Sequence, residues 1–374
     1  MAAHLPDSSP LSSRFDPSAL RFALAWVLPL SVGAAALVVS PWAAWGVTFG
    51  WQVLLALLEC VPGLQRSPPA VRASAWHRLC VRLHVPLQAA LLALLLWLLA
   101  EGAWSVAAAV ALGVAVGGVT GSQGITFAHE LGHSRSRFDR LLAWMLMASV
   151  LYAHFMVEHY RGHHVRAATF DDPASARRGE SLWRFLPRTL HGSWISAWRL
   201  EAAQLSQLKR GWPSSALMWA TLGQIAWLVL LLAWLGPLAL LFWVVQAAYA
   251  VFLLEVVNYI EHYGLVRQQQ RGRHEAFAMN HAWNADHLAT NSVIANLQRH
   301  SDHHMQAWKP YAELRPLPGP QLPTGYAGCL FLALVPWLWS AAMEPRLAAL
   351  QEQLAGQGGQ GGRVAAGTTS SAAA

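Results

Sequence analysis

Long apolar stretches alternate with short polar breaks along most of this chain. Six of them, Phe22–Val39, Ala43–Val61, Val85–Ala100, Ala103–Phe127, Ser215–Leu235 and Leu238–Ile260, are near the length that predicts a helix crossing a lipid bilayer. They pair into three tight hairpins, turning at Ser40-Pro41, Glu101-Gly102 and Gly236-Pro237. Two more apolar runs, Leu141–Val157 and Gly325–Met343, are about as long but sit in more polar surroundings. The stretch from Asp171 to Pro213 is arginine-rich, with helical patterning over Leu182–Leu190 and Trp194–Leu208.

Composition agrees with a membrane protein. Hydrophobic residues make up 55% of the 374 positions and charged residues only 12%, about half the usual share of a soluble domain. Twenty tryptophans suit the membrane–water interface. None of the three hairpin turns carries lysine or arginine. The 26 basic residues lie at the other ends of the spans, for example Arg66, Arg72, Arg78 and Arg82. The positive-inside rule therefore predicts cytoplasmic termini and accounts for the net charge of +7 without nucleic acid. The expected organisation is a polar segment over 1–20, one membrane-embedded domain over 21–346, and a mostly disordered glycine-rich tail over 347–374. The fold class is all-α: about six transmembrane helices, re-entrant or interfacial helices, and a cytoplasmic helical cap.

Histidine supplies the chemistry. Three groups, His129/His133, His159/His163/His164 and His300/His303/His304, border apolar stretches, and His262 follows the sixth span. Spacings of three and four place such residues on one helical face. Nine imidazoles exceed what one ion uses, so the pattern predicts two metal ions at a membrane surface. At about 1.5 Å per residue, a helix from Ala103 to His129 spans roughly 39 Å and carries His129 just past a core of about 30 Å. A crossing at Leu141–Val157 would put the first two groups on opposite membrane faces, so that run and Gly325–Met343 are read as re-entrant or interfacial. Glu130, Glu158, Glu261 and Asp302 adjoin the groups and are candidates to hold the far nitrogens of the rings. His154, His274, His281 and His287 lie nearby and are not expected to be ligands.

His129-Glu130-Leu131-Gly132-His133 also fits the zinc metalloprotease pattern, with two helical histidines and a glutamate base. A single zinc leaves most of the remaining histidines unexplained. Cys60, Cys80 and Cys329 form no CxxC pair, so any metal site rests on histidine.

Four blocks carry a family resemblance: 129–133; Glu158-His159-Tyr160-Arg161-Gly162-His163-His164; Asn258-Tyr259-Ile260-Glu261-His262-Tyr263-Gly264-Leu265; and Leu297-Gln298-Arg299-His300-Ser301-Asp302-His303-His304. The set resembles the integral-membrane non-haem di-iron family of desaturases and hydroxylases, and within it the alkane monooxygenases. Asp172-Pro173-Ala174 and Leu322-Pro323-Thr324-Gly325-Tyr326 extend the likeness. Tyr160 and Ser134 depart from it, standing where the family usually has asparagine and a basic residue.

The resemblance implies that the nine histidines bind two iron ions. It also implies O2 as co-substrate, electrons from rubredoxin (itself reduced by a rubredoxin reductase), and terminal hydroxylation of medium-chain alkanes or alkyl groups drawn from the lipid phase. The expected location is the bacterial inner membrane. A substrate tunnel is expected among the apolar helices, with Trp42, Trp45, Trp51 and Trp104 as candidate lining. The alternatives are an acyl-lipid desaturase or hydroxylase, the intramembrane zinc protease and a non-enzymatic metal sensor or store.

Overall fold

The computed structural model describes residues 16–270 and 272–366. Most of the polar segment expected over 1–20 and the end of the 347–374 tail lie outside them.

Helix α1 (Pro17–Val38) opens in 3-10 geometry and is followed by α2 (Pro41–Glu59), α3 (Ala75–Glu101) and α4 (Val106–His133). The turns are written locally. Ser40 caps α2 by accepting from the Ala43 N–H at 3.1 Å, with Pro41 in the first turn. Ser105 caps α4 in the same way through the Ala108 N–H. After a shorter α5 (Arg137–Ser149) and α6 (155–166) come α7 (Leu182–Gln207) and the 47-residue α8 (Ala216–His262).

Helix α8 is two arms. Gly236 (φ 81°, ψ −175°) breaks it beside Pro237, at the turn predicted between the fifth and sixth apolar runs. At about 1.5 Å per residue the unbroken helix would be roughly 70 Å long, more than twice a bilayer core. All six predicted apolar runs are thus largely helical, carried by the five helices among the described residues that are long and apolar enough to cross a membrane. The run Leu141–Val157 is broken: α5 ends at Ser149, Leu151 takes a positive φ, and helix resumes at Phe155. The run Gly325–Met343 divides at Val335 into α11 (Tyr326–Leu334) and α12 (Pro336–Ala366), after the short α9 (Leu288–Val293) and α10 (His300–Met305). Neither forms a single helix fit to cross. Helix α12 continues past residue 346 into the stretch expected to lack order.

Helix α4 is the centre of the bundle: 72% of its most apolar stretch is buried, against 22% for α8. Glycines at every fourth position make this possible. A Cβ at Gly117 would lie 2.7 Å from the Gln246 carbonyl oxygen, and one at Gly121 2.7 Å from Ala250 Cα. The α4 and α8 backbones therefore touch, as small residues permit where lipid supplies no hydrophobic drive between helices. This contact fixes the end of α4, with His129 and His133, against the end of α8, with His262.

Candidate metal centre

The nine predicted histidines converge from four elements into two adjoining groups. His129, His133, His159, His164 and His303 form one; His163, His262, His300 and His304 form the other. Within each group the potential ligand nitrogens lie within 4.8 Å of one another. His164 Nε2 is 3.0 Å from His159 Nε2 and 3.3 Å from His303 Nε2, while His300 Nε2 is 3.3 Å from His262 Nε2. The groups abut: the rings of His164 and His304 are 4.4 Å apart.

The spacing rule is obeyed in α4 and fails in α6. His129 and His133, four apart, join the same group. His159 and His163 were expected to share a face, yet they enter different groups. The backbone from His159 to His163 is a π-helix, whose wider turn brings His164, five residues on, back beside His159. A second π-turn, Thr120–Ile125, lies one turn before His129. In α10 the α-helical spacing holds for His300 and His304, and His303 turns to the other group. The boxes are interleaved: each of the last two supplies both groups.

These nitrogens have few protein partners. Nε2 of His129, His133 and His163, and both ring nitrogens of His304, are buried without a hydrogen bond. Burial and the neighbouring imidazoles hold His159, His164, His300, His303 and His304 well below the usual histidine value, so they stay neutral. Neutral, converging imidazoles with orphaned lone pairs fit a pair of metal ions.

The far nitrogens of His163 and His262 are hydrogen-bonded, and that of His300 faces a carboxylate, all partners that the sequence only partly revealed. Glu261 Oε1 lies 3.2 Å from His300 Nδ1 and accepts from the Tyr326 hydroxyl at 2.9 Å. The other three candidate carboxylates turn elsewhere, because residues adjacent in a helix point about 100° apart. Glu130 accepts from the Tyr311 N–H, Glu158 pairs with Arg166 at 2.6 Å, and Asp302 pairs with Lys309 at 2.6 Å. His262 Nδ1 donates to the backbone carbonyl of His281 at 3.0 Å, leaving Nε2 free for a metal. Sequence reasoning missed Asp172 as a contact: its Oδ2 accepts from His163 Nδ1 at 2.9 Å. Its only signal was its place in the Asp172-Pro173-Ala174 block.

The two departures lie beside the site. The Tyr160 hydroxyl donates to the Ala128 and His129 carbonyl oxygens at 3.3 and 3.1 Å, and its ring packs edge-on to His133. Ser134 donates to Asp139 at 2.7 Å.

An apolar cavity of about 110 Å³ opens between α2, α4, α8 and α11 and ends on His129, His159 and His300. Leu55, Ile125, Leu253 and Ile294 are among its walls. None of the four candidate tryptophans lines it; Trp42 and Trp45 are exposed on the outer face of α2, where lipid contact accounts for them. His133 also reaches two clefts with basic rims, one bordered by Arg135, Arg140, Arg161 and Arg210 and the other by Arg78, Arg82 and Lys309.

Comparison with known proteins gives the same picture. A model of the fatty acid desaturase family matches residues 103–328. Alkane 1-monooxygenase 2 of Pseudomonas aeruginosa is 39% identical over 328 residues, covering 83% of this chain and 84% of its own. Alkane 1-monooxygenase 1 of the same organism is 45% identical over 63% of this chain and 62% of its own. The alkane 1-monooxygenase of Ectopseudomonas oleovorans is 36% identical over 81% and 79%. With two histidine groups set where an apolar cavity meets a bundle of membrane-length helices, this chain belongs to the alkane 1-monooxygenases of the fatty acid desaturase family.

Proposed function

We propose that this chain hydroxylates the terminal carbon of medium-chain alkanes or alkyl groups to primary alcohols, with O2 as oxidant and rubredoxin as electron donor. The observation that carries this reading is the junction itself: His129, His159 and His300 belong both to the histidine groups and to the wall of the apolar cavity. Per turnover one C–H bond and the O–O bond break, two electrons and two protons are taken up, and alcohol and water leave. Two iron ions, held by His129, His133, His159, His164 and His303 and by His163, His262, His300 and His304, would supply the oxygen activation.

The protein's own residues do the rest. The walls around Leu55, Leu253 and Ile294 bind a chain that partitions from lipid and keep bulk water from the reacting carbon. Asp172 and the His281 carbonyl orient His163 and His262 through hydrogen bonds, and the Glu261 carboxylate lies beside the His300 ring. The arginines around the clefts beneath His133 would steer a small acidic electron carrier, raising its rate of association. The absence of lysine and arginine from the hairpin turns supports an inner-membrane setting with termini and histidines cytoplasmic, and residues 21–346 as one domain.

Iron quantification with alkane turnover in membranes, rubredoxin and its reductase added, tests this. The expected result is two irons per chain and a primary alcohol formed in step with O2 uptake. A single zinc without iron would sink the proposal, and an alkene formed in an acyl chain would move the chain to the desaturases.

A further inference from the structure

Behind the histidines lies a second, smaller cavity of about 20 Å³, room for one water molecule. It sits between α6, α7 and α8, and every residue around it is buried. Its lining is more polar than that of the apolar cavity. His154 has no partner on either ring nitrogen, and Glu158 Oε2 has none. Glu255 accepts from the Tyr152 hydroxyl at 2.9 Å, the Thr189 hydroxyl at 2.8 Å and the Asn258 amide at 3.1 Å, all neutral donors. Ser193 adds its hydroxyl to this lining, and Thr189, four residues earlier on the inward face of α7, reaches it through Glu255.

The chamber is placed between solvent and the reaction centre. On its outer side Glu158 is bonded to Arg166, whose side chain is 28% exposed and also reaches Ser196 at 2.7 Å. On its inner side Phe155, His159 and Asn258 form a wall shared with the apolar cavity. Buried polar atoms without partners cost free energy unless water satisfies them, and this space has room for one.

We infer that this chamber is a proton-delivery site, with Glu255 as the carboxyl that carries the proton and the chamber water and His154 as its partners. The inference rests on the monooxygenase reading, in which two protons are consumed per turnover. Glu255 releases a proton through the chamber water toward the oxygen atom that leaves as water, and is reprotonated from the aqueous side. The apolar cavity, built to exclude water, is a poor route for those protons.

The test is Glu255→Gln in the full-length holoenzyme in membranes, which keeps shape and removes the exchangeable carboxyl. Metal content should stay at the wild-type level while alcohol formation falls on the order of 100-fold, within the range of general acid–base catalysis. Peroxide released per O2 consumed should rise, and the solvent deuterium isotope effect on turnover should grow. Independently of turnover, a solved structure of the metal-free protein should show an ordered water bonded to His154. Unchanged turnover and coupling, a loss of activity only in step with loss of metal, or a dry chamber would overturn the inference. Should Glu255→Gln not accumulate, Tyr152→Phe keeps the ring and removes one of the carboxyl's donors. It should raise peroxide release at wild-type metal content, and wild-type coupling would count against the idea. A wild-type protein that makes no alcohol defeats the monooxygenase reading instead.

Discussion

His163 Nδ1 lies 2.9 Å from Asp172 Oδ2, with both side chains buried. Burial alone would raise the Asp172 carboxyl, but His163 and the Ser175 hydroxyl, which donates to the same oxygen at 2.6 Å, hold it below its usual value. The contact fixes the tautomer of His163, so that Nε2 faces its group. Asp172→Asn should weaken metal retention about 10- to 100-fold while leaving the chain folded. Competition with a chelator checks this; wild-type retention would show that the pair is only structural.

His262 comes from outside the three grouped boxes, yet its Nε2 is 3.3 Å from that of His300. His262→Ala should abolish turnover and lower metal content. His281 meets His262 through its backbone carbonyl, so His281→Ala should leave metal content largely intact. Metal analysis of both purified variants separates the two roles, and full iron and activity in His262→Ala would remove it from the ligand set.

Gly132 and Tyr160 are coupled. A Cβ at Gly132 would lie 1.8 Å from the Tyr160 hydroxyl oxygen, closer than any relaxed contact. Gly132→Ala alone should therefore destabilise the protein by about 1–3 kcal/mol, as overpacking does. Combined with Tyr160→Asn, the smaller residue usual in the family, much of that loss should be recovered. A thermal-unfolding double-mutant cycle measures the coupling, and simple additivity would refute it.

Five of the converging histidines, His159, His164, His300, His303 and His304, are held below their usual value and set a pH dependence. In the unfolded chain they protonate near pH ~6.5, whereas in the folded chain they stay neutral to lower pH. As pH falls below about 6.5 the unfolded state binds more protons, so the metal-free protein loses stability in that direction. Protons also compete with metal for the same nitrogens, so retention falls together with stability. Thermal unfolding of the metal-free protein from about pH 8 to about pH 5 should show a declining midpoint; a flat profile contradicts the assignment.

The apolar runs made the spans legible, because a helix in lipid must be apolar over a fixed length. The re-entrant or interfacial reading of Leu141–Val157 rests on where its flanking histidines must meet, whereas the break between Ser149 and Phe155 leaves no mark in the apolar run. The identity of the nine converging histidines was likewise written in spacing and blocks. Their division into five and four was not. That division depends on the π-helix at 159–163, a choice of backbone hydrogen bond that side-chain periodicity does not announce. Asp172 escaped for a related reason: it reaches His163 through a loop, where no period links carboxylate to ring. Glu130, Glu158 and Asp302 were misled candidates because adjacency in sequence is divergence on a helix.

The interleaving of the boxes ties the two histidine groups into one mechanical unit. His163 and His164 are neighbours in the chain yet serve different groups, and so are His303 and His304. A shift of either short helix that tightens one group of imidazoles must therefore displace an imidazole of the other. Were a metal ion held by each group, occupancy of one position would preorganise its neighbour, and metal loss on titration with a chelator would be cooperative.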